Sequence, residues 1–253
     1  MNLVAVIPAR ASSTRLPNKP LADICGRPMV WWTHKRCIDT KVFSRVIVAT
    51  EDQEIVNACQ GYGIEALLTR SDHPNKIYRV HEVSRSVAAD YYVCVNGDEP
   101  LTEAANIMAV IPASVDQAAI VTTGLMTDSA DAVGIVDPTN IKVVATASGR
   151  CLFQSRAPVP WPHASLDYRY QKYVGIEGFN RRALDFYTST PMGPLERIEA
   201  IDQLRFLEHG HSFQVANVSA GSISVDTPKD LAAVRQVIAE RIAAGIDPET
   251  GVE

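Results

Sequence analysis

A chain of 253 residues, 46% hydrophobic and 21% charged, can bury one large α/β core or two small ones and is too apolar to stay disordered. Its formal net charge of -5 denies it the basic face of a general nucleic-acid binder, and no apolar run reaches the roughly 18–20 residues of a membrane span. Five widely spaced cysteines, odd in number and without a C-x-x-C, predict reduced thiols, a cytoplasmic protein and no zinc site.

The first run, Leu3–Ile7, predicts a buried strand; it is too short for a leader and runs straight into Pro8-Ala9-Arg10. Pro28 at a first turn opens a helix to Ile38, Arg45–Ala49 is a second strand, and Asp52–Tyr62 a helix ended by Gly61 and Gly63. Ile64–Leu68 and Tyr91–Val95 follow as strands, then a helix from about Thr102 to Ser114, and Ala119–Thr123 closes the series. Strands alternating with helices imply right-handed crossovers and a mainly parallel sheet. Further on, Lys142–Ala145, Leu152–Gln154 and Tyr173–Phe179 read as strands with few helices between them. They suggest a smaller antiparallel insertion at about 140–195 within a single domain. Helices return at Arg181–Tyr187, Glu196–Glu208 and Pro228–Ala244.

Between the first strand and first helix lies "IPARASSTRLPNKPL", residues 7–21, with Arg10, Arg15 and Lys19 among the hydroxyls of Ser12, Ser13 and Thr14. In parallel α/β sheets ligands bind beyond the carboxyl ends of the strands, and a cationic, hydroxyl-bearing loop there suits phosphate. The plainer alternative is a solvated basic loop. The stretch is neither G-x-G-x-x-G nor G-x-x-x-x-G-K-[ST], which withdraws support from a dinucleotide enzyme or P-loop NTPase. "VNGDEP" (Val95–Pro100) puts Asp98 at the end of a buried strand, a place for a Mg²⁺ carboxylate or equally for a helix cap. Asp226, in "ISVDTPKD", reads as the end of a short strand entering the last helix and offers the same two readings. Spacing alone does not bring the two aspartates together.

Seven segments occur in order: "IPARASSTRLPNKPLADICGRPM", "LLTRSDH", "NGDEP", "DPTNIKVV", "FQSRAPVPW", "PLERIEAIDQLRFLEHGH" and "SVDTPKDL". Together they resemble the CMP-Kdo synthetase family, the 3-deoxy-manno-octulosonate cytidylyltransferases, over nearly the whole chain to about Ala239. The resemblance implies a Rossmann-like nucleotidyltransferase α/β fold that dimerises through its insertion. It further implies transfer of CMP from CTP to a small sugar acid with Mg²⁺ and release of pyrophosphate. Carried onto this sequence, Arg10, Ser13, Arg15 and Lys19 hold the triphosphate; Pro8, Ala9, Arg70 and Asn96 line the nucleotide pocket; Asp98 and Asp226 hold the metal. Arg10, Arg15, Lys19 and Asp98 would carry catalysis, which rests on positioning and charge neutralisation at the α-phosphate.

The chain departs from the family on the acceptor side. Where relatives have S-G-T-[DE]-R it has Asn75, Lys76, Ile77, Tyr78 and Arg79, keeping only the arginine. The family's K-H-[LI]-G-[VI]-Y has become Lys172–Glu177, so that Tyr173 and Glu177 replace its histidine and tyrosine, and Asn96 replaces a glutamine. Lys76, Tyr78, Arg79, Arg156, Tyr173, Glu177, Glu199 and Gln203 are the expected acceptor residues. The new charges predict that Glu177 meets an acceptor amino group, that Lys76 meets an additional anion, and that unmodified Kdo is a poor acceptor. A modified ulosonic acid or a non-sugar acid such as a phosphonate competes, as does a catalytically silent nucleotide-binding homologue.

Overall fold

The computed structural model describes residues 1–12, 15–129, 132–165, 169–218 and 223–247. In chain order the strands are β1 (Leu3–Ala9), the hairpin β2 (Asp23–Ile24) and β3 (Arg27–Pro28), β4 (Arg45–Thr50), β5 (Ala66–Leu68), β6 (Tyr91–Val95), β7 (Thr122–Ser129), β8 (Lys142–Ala145), β9 (Cys151–Ser155), β10 (Tyr170–Phe179) and β11 (Gln214–Asn217). The helices are α1 (Met29–Asp39), α2 (Gln53–Gly61), α3 (Lys76–Ser86), α4 (Ala104–Ala109), α5 (Ala132–Val136), α6 (Arg181–Ser189), α7 (Pro194–Glu199), α8 (Leu204–Glu208) and α9 (Pro228–Ala243).

The main sheet runs β11-β7-β10-β6-β1-β4-β5, with β8 and β9 off the end of β10. β1 pairs in parallel with β4 and β6, β4 with β5 and β11 with β7, while β10 is antiparallel to both its neighbours. β10 falls within the stretch expected as an insertion, yet it runs through the middle of the main sheet. The antiparallel appendage is therefore β8 and β9.

Alternation along β1 builds two cores, because successive strand residues point to opposite faces. Leu3, Ala5 and Ile7 pack with Val30 and Cys37 of α1 and Ile55 of α2 on one face. Val4 and Val6 pack with Ile77 and Val80 of α3, Leu184 of α6 and Phe206 of α8 on the other. A third cluster seats α9, through Leu231, Val234 and Ile238, on Ile24, Met29 and Trp32.

Several expected elements change. The helix foreseen from Thr102 to Ser114 stops at Ala109, because Pro112 disfavours helical backbone at Ile111 and leaves no room to continue. The long helix foreseen over Glu196–Glu208 is broken at Ala200, which adopts φ 50. The break folds α7 against α8 so that Arg205 donates to both oxygens of Glu196 at 2.6 Å, and Arg156 takes the carbonyls of Glu199 and Ala200. The strand foreseen at Ala119–Thr123 begins three residues later, since Asn180 binds the backbone at Asp116, Ala119 and Val121. Helix α3 was not foreseen. Ile77, Val80 and Val83 keep a helical spacing, but polar and charged residues fill the turns between them, and the start is set by Asn75, whose side chain accepts from Ile77 N and Tyr78 N.

One buried ionic tie joins distant parts. Arg36 of α1 donates through Nε to the Pro100 carbonyl at 2.9 Å, and its other nitrogens grip Asp247 at 2.5 and 2.9 Å.

Candidate active site

The loops after β1 and β6 leave the sheet at the carboxyl ends of parallel neighbours, where α/β proteins place ligands. The chain turns back after β1 through Asn18, with φ 52, whose N–H reaches the Ala11 carbonyl at 3.1 Å; Lys19 then starts a single 3-10 turn on Pro20. After β6, Gly97 passes over Pro8: its N–H donates to the Pro8 carbonyl at 3.3 Å, and a Cβ there would fall 2.9 Å from that oxygen. No larger residue fits this crossing without a shift.

The cavity between these loops has a volume of about 510 Å³ and is lined by Pro8, Ala9, Arg10, Ser12, Arg15, Lys19, Pro20, residues 73–76, Arg79, residues 96–98 and Asp226. Asp226 does not end a strand, as foreseen. It stands in an extended segment that one bond, Val225 N to the Asp98 carbonyl at 2.9 Å, fastens beside the β6 turn. The two aspartates consequently converge on one ammonium: Lys19 Nζ lies 2.7 Å from Asp98 Oδ2 and 3.2 Å from Asp226 Oδ1. Arg15 adds a contact to Asp226 at 3.1 Å. Asp98 Oδ1 is buried and makes no hydrogen bond within the protein. A carboxylate oxygen with that deficit, beside a second carboxylate, suits a Mg²⁺ ion that takes its remaining ligands from phosphates and water. The first turn of α3 also faces this space, adding the positive end of a helix dipole to Arg10, Arg15, Lys19, Lys76 and Arg79.

Ser13 lies outside the described residues. Arg70 is not among the cavity residues: its guanidinium is exposed and bound to Asp72, two residues on. Of the expected acceptor residues only Lys76 and Arg79 line the cavity. Arg79 is anchored by Glu51 and Thr69. Tyr78 turns away to accept from Arg205 at 3.1 Å and to pack edge-on against Tyr187. Arg156 and Glu199 serve each other: the Glu199 carboxylate takes the Ser155 hydroxyl at 2.7 Å and the Arg156 N–H at 2.9 Å.

Tyr173, Glu177 and Gln203 form a buried layer beneath Lys76. The pairing of β10 with β7 jumps from Val174 to Glu177, a bulge that keeps Tyr173 and Glu177 on one face, and the Tyr173 hydroxyl donates to Glu177 Oε2 at 3.0 Å. Gly175 within the bulge makes room for Asn96, whose Nδ2 would lie 2.6 Å from a Cβ at that position. Glu177 and Lys76, expected to meet an acceptor amine and an additional anion, are each other's nearest charge. They face each other, with Lys76 Nζ 2.6 Å from Glu177 Oε1. Burial works against the Lys76 ammonium, but the Glu177 carboxylate outweighs it and raises its pKa. Burial also lifts the neighbouring Asp202 carboxyl to about 6, although Lys76 pulls it down.

The sequence reading missed His73, Pro74 and Asn75 as lining residues. Two of them stand in or beside the quoted "LLTRSDH" segment, so the helix cap at Asn75 was the available signal.

Sheet order, crossing loops and a cationic cavity with two convergent carboxylates are the frame of a nucleotidyltransferase, and residues 4–213 match the family model described as cytidylyltransferase. The 3-deoxy-manno-octulosonate cytidylyltransferase of Acidobacterium capsulatum is 36% identical over 242 residues, 95% of this chain and 98% of the relative. That of Escherichia coli is 35% identical, covering 95% and 97%. The solved structure of CMP:2-keto-3-deoxy-manno-octonic acid synthetase complexed with CTP superposes with TM-score 0.90 at 34% identity, over 95% of this chain and all of that one. A 4-diphosphocytidyl-2C-methyl-D-erythritol synthase from Anaerococcus prevotii, 13% identical with TM-score 0.62, shares the fold alone. The chain belongs to the 3-deoxy-manno-octulosonate cytidylyltransferase (CMP-Kdo synthetase) family and is an enzyme of the nucleotidyltransferase class.

Proposed function

We propose that this enzyme transfers CMP from CTP to a small acid of the ulosonic type or a related one, releasing pyrophosphate, with Mg²⁺ as cofactor. The observation that carries the reading is the convergence of Asp98 and Asp226 on Lys19 inside a cavity walled by Arg10 and Arg15. Support for CTP comes from the relative solved with that nucleotide.

In this reading Arg10, Arg15 and Lys19 hold the triphosphate as charge-assisted donors and receive the negative charge that builds on the leaving pyrophosphate. Pro8 and Ala9 at the end of β1, with Asn96 and Gly97, form the wall that seats the nucleoside. Asp98 and Asp226 would hold the metal, which when bound supplies charge neutralisation at the phosphates. The chain's own contribution is orientation: an acceptor oxygen brought in line behind the α-phosphate needs little covalent assistance.

A homodimer and a cytoplasmic location belong to the same proposal. Exposed Leu152 on β9 and exposed Leu195 and Ile198 on α7 offer an apolar surface for a second copy, and the five thiols are unbridged. The decisive experiment measures pyrophosphate release from CTP with a panel of acids, with Mg²⁺ and with excess chelator. Metal-dependent release with at least one acid is expected; CTP binding with release from none of them leaves a silent nucleotide-binding homologue in its place, and failure of CTP to bind at all sinks both.

A further inference from the structure

The two charged departures from the family pattern sit on different elements, Lys76 in the first turn of α3 and Glu177 on β10, and are chemically complementary at 2.6 Å. Glu177 is 0% exposed. Its Oε2 accepts from the Tyr173 hydroxyl and from the Gln203 amide, and its Oε1 is covered by Lys76. Oε1 makes no hydrogen bond within the protein, yet it is buried behind Lys76, so an acceptor amine could reach it only by breaking a buried ion pair.

Lys76 is different. An ammonium has three N–H donors. Asn96 Oδ1, at 3.2 Å, takes one and Glu177 Oε1 stands 2.6 Å away as the counterion, while the side chain keeps 21% exposure and lines the cavity with Asp98. Donor capacity and a full positive charge are thus held at the wall of the cavity in which the α-phosphate would lie. The other side chains expected to meet an acceptor stay out of the cavity, each engaged elsewhere: Tyr78 with Arg205, which holds Glu196, the Arg156 guanidinium with the carbonyls of Glu199 and Ala200, and Gln203 with Glu177.

We propose that Lys76 binds the acidic group of the acceptor, that Glu177 is its positioning residue, and that the acceptor is a compact acid without a long hydroxylated chain. The inference rests on the cytidylyl-transfer reading and narrows it. Lys76 and Glu177 act as one unit: the carboxylate fixes the ammonium and removes the cost of burying either charge alone.

The test uses pyrophosphate release from CTP with phosphonoacetate and, separately, with Kdo. Wild type is expected to favour phosphonoacetate in kcat/KM by at least about tenfold. The double variant Lys76→Met/Glu177→Gln removes both charges of the pair together, and a thermal melt beside the assay checks that it is folded. It should raise the acceptor KM about 30-fold, the value of a lost charge-assisted hydrogen bond, with the CTP KM within about twofold. Glu177→Gln alone should raise acceptor KM while sparing kcat, whereas a merely structural role would lower kcat and weaken CTP as well. Preference for Kdo, or an unchanged acceptor KM in the double variant, overturns the proposal. If neither acid reacts, calorimetric titration of phosphonoacetate into the CTP-loaded protein decides. Binding that the double variant loses supports the proposal, and absent or unaltered binding overturns it. Failure of CTP itself to load would overturn the cytidylyl-transfer reading instead.

Discussion

The Lys19 ammonium stands 2.7 Å from Asp98, on a carboxylate whose other oxygen has no hydrogen-bond partner within the protein. One lysine therefore sits between an anionic pair and the cavity in which it is proposed to contact a triphosphate. Its charge balances Asp98 and Asp226 and remains beside any phosphate that arrives.

Asp98→Asn and Asp226→Asn are each expected to keep the fold, since both side chains end in loops, and to lower turnover about a hundredfold or more, as lost electrostatic stabilisation does. The check is pyrophosphate release at saturating Mg²⁺ beside a thermal melt. Near-wild-type rates in both variants would remove the metal assignment.

CTP should be preferred over ATP and GTP, with UTP the nearest competitor. Asn96 Oδ1 is occupied by Lys76, so the cytosine amino group is expected to be read by a backbone carbonyl. Asn96→Ala should consequently leave the ratio of CTP to UTP efficiency within about threefold, since a carbonyl reader is untouched. A collapse of that ratio in nucleotide competition would return the role to the side chain.

Glu196 and Arg205 form an ion pair with both side chains 2% exposed, tying α7 to α8 where the predicted single helix breaks. Arg205→Met should cost about 3–5 kcal/mol, because it strands a buried carboxylate. Chemical denaturation measures it; a loss below about 1 kcal/mol would mean that the site admits water.

Asp202 has its carboxyl raised from 3.8 to about 6, chiefly by burial. The folded protein then binds this proton more tightly than the unfolded chain does, so stability falls as pH rises from about 4 to about 6 and is flat above. A shift of that size is on the order of 3 kcal/mol. Asp202→Asn keeps the acceptor for Asn75 and should be the more stable protein at pH 7, with the advantage vanishing below about pH 4. Melts of both proteins across that range give the answer, and a constant difference would contradict it.

Elements with a clear period were legible in the sequence: β1, α1, β4 and β6 stand where apolar runs and proline punctuation placed them, and the cationic loop opens the cavity. Helix α3 went unread although Ile77, Val80 and Val83 keep a helical spacing, because polar and charged residues separate them and a side-chain cap, not proline, marks its start. The meeting of Asp98 with Asp226 depends on tertiary contacts of Val225, whose N–H binds the Asp98 carbonyl and whose side chain is buried with α9, and that of Lys76 with Glu177 on the seating of α3 near the bulge in β10. Neither leaves a mark in residue type. The charges at 76 and 177 were visible one at a time, and read singly they did not show that they pair.

Arg36, buried between Asp247 and the carbonyl of Pro100, makes the far end of the chain a structural support for the turn that carries Asp98. A protein shortened before Asp247 would keep every residue of the cavity and still leave a guanidinium interred without its counterion. One buried counterion thus couples the segment after α9 to the turn that follows β6, so a change at Asp247 reaches the cavity through Arg36.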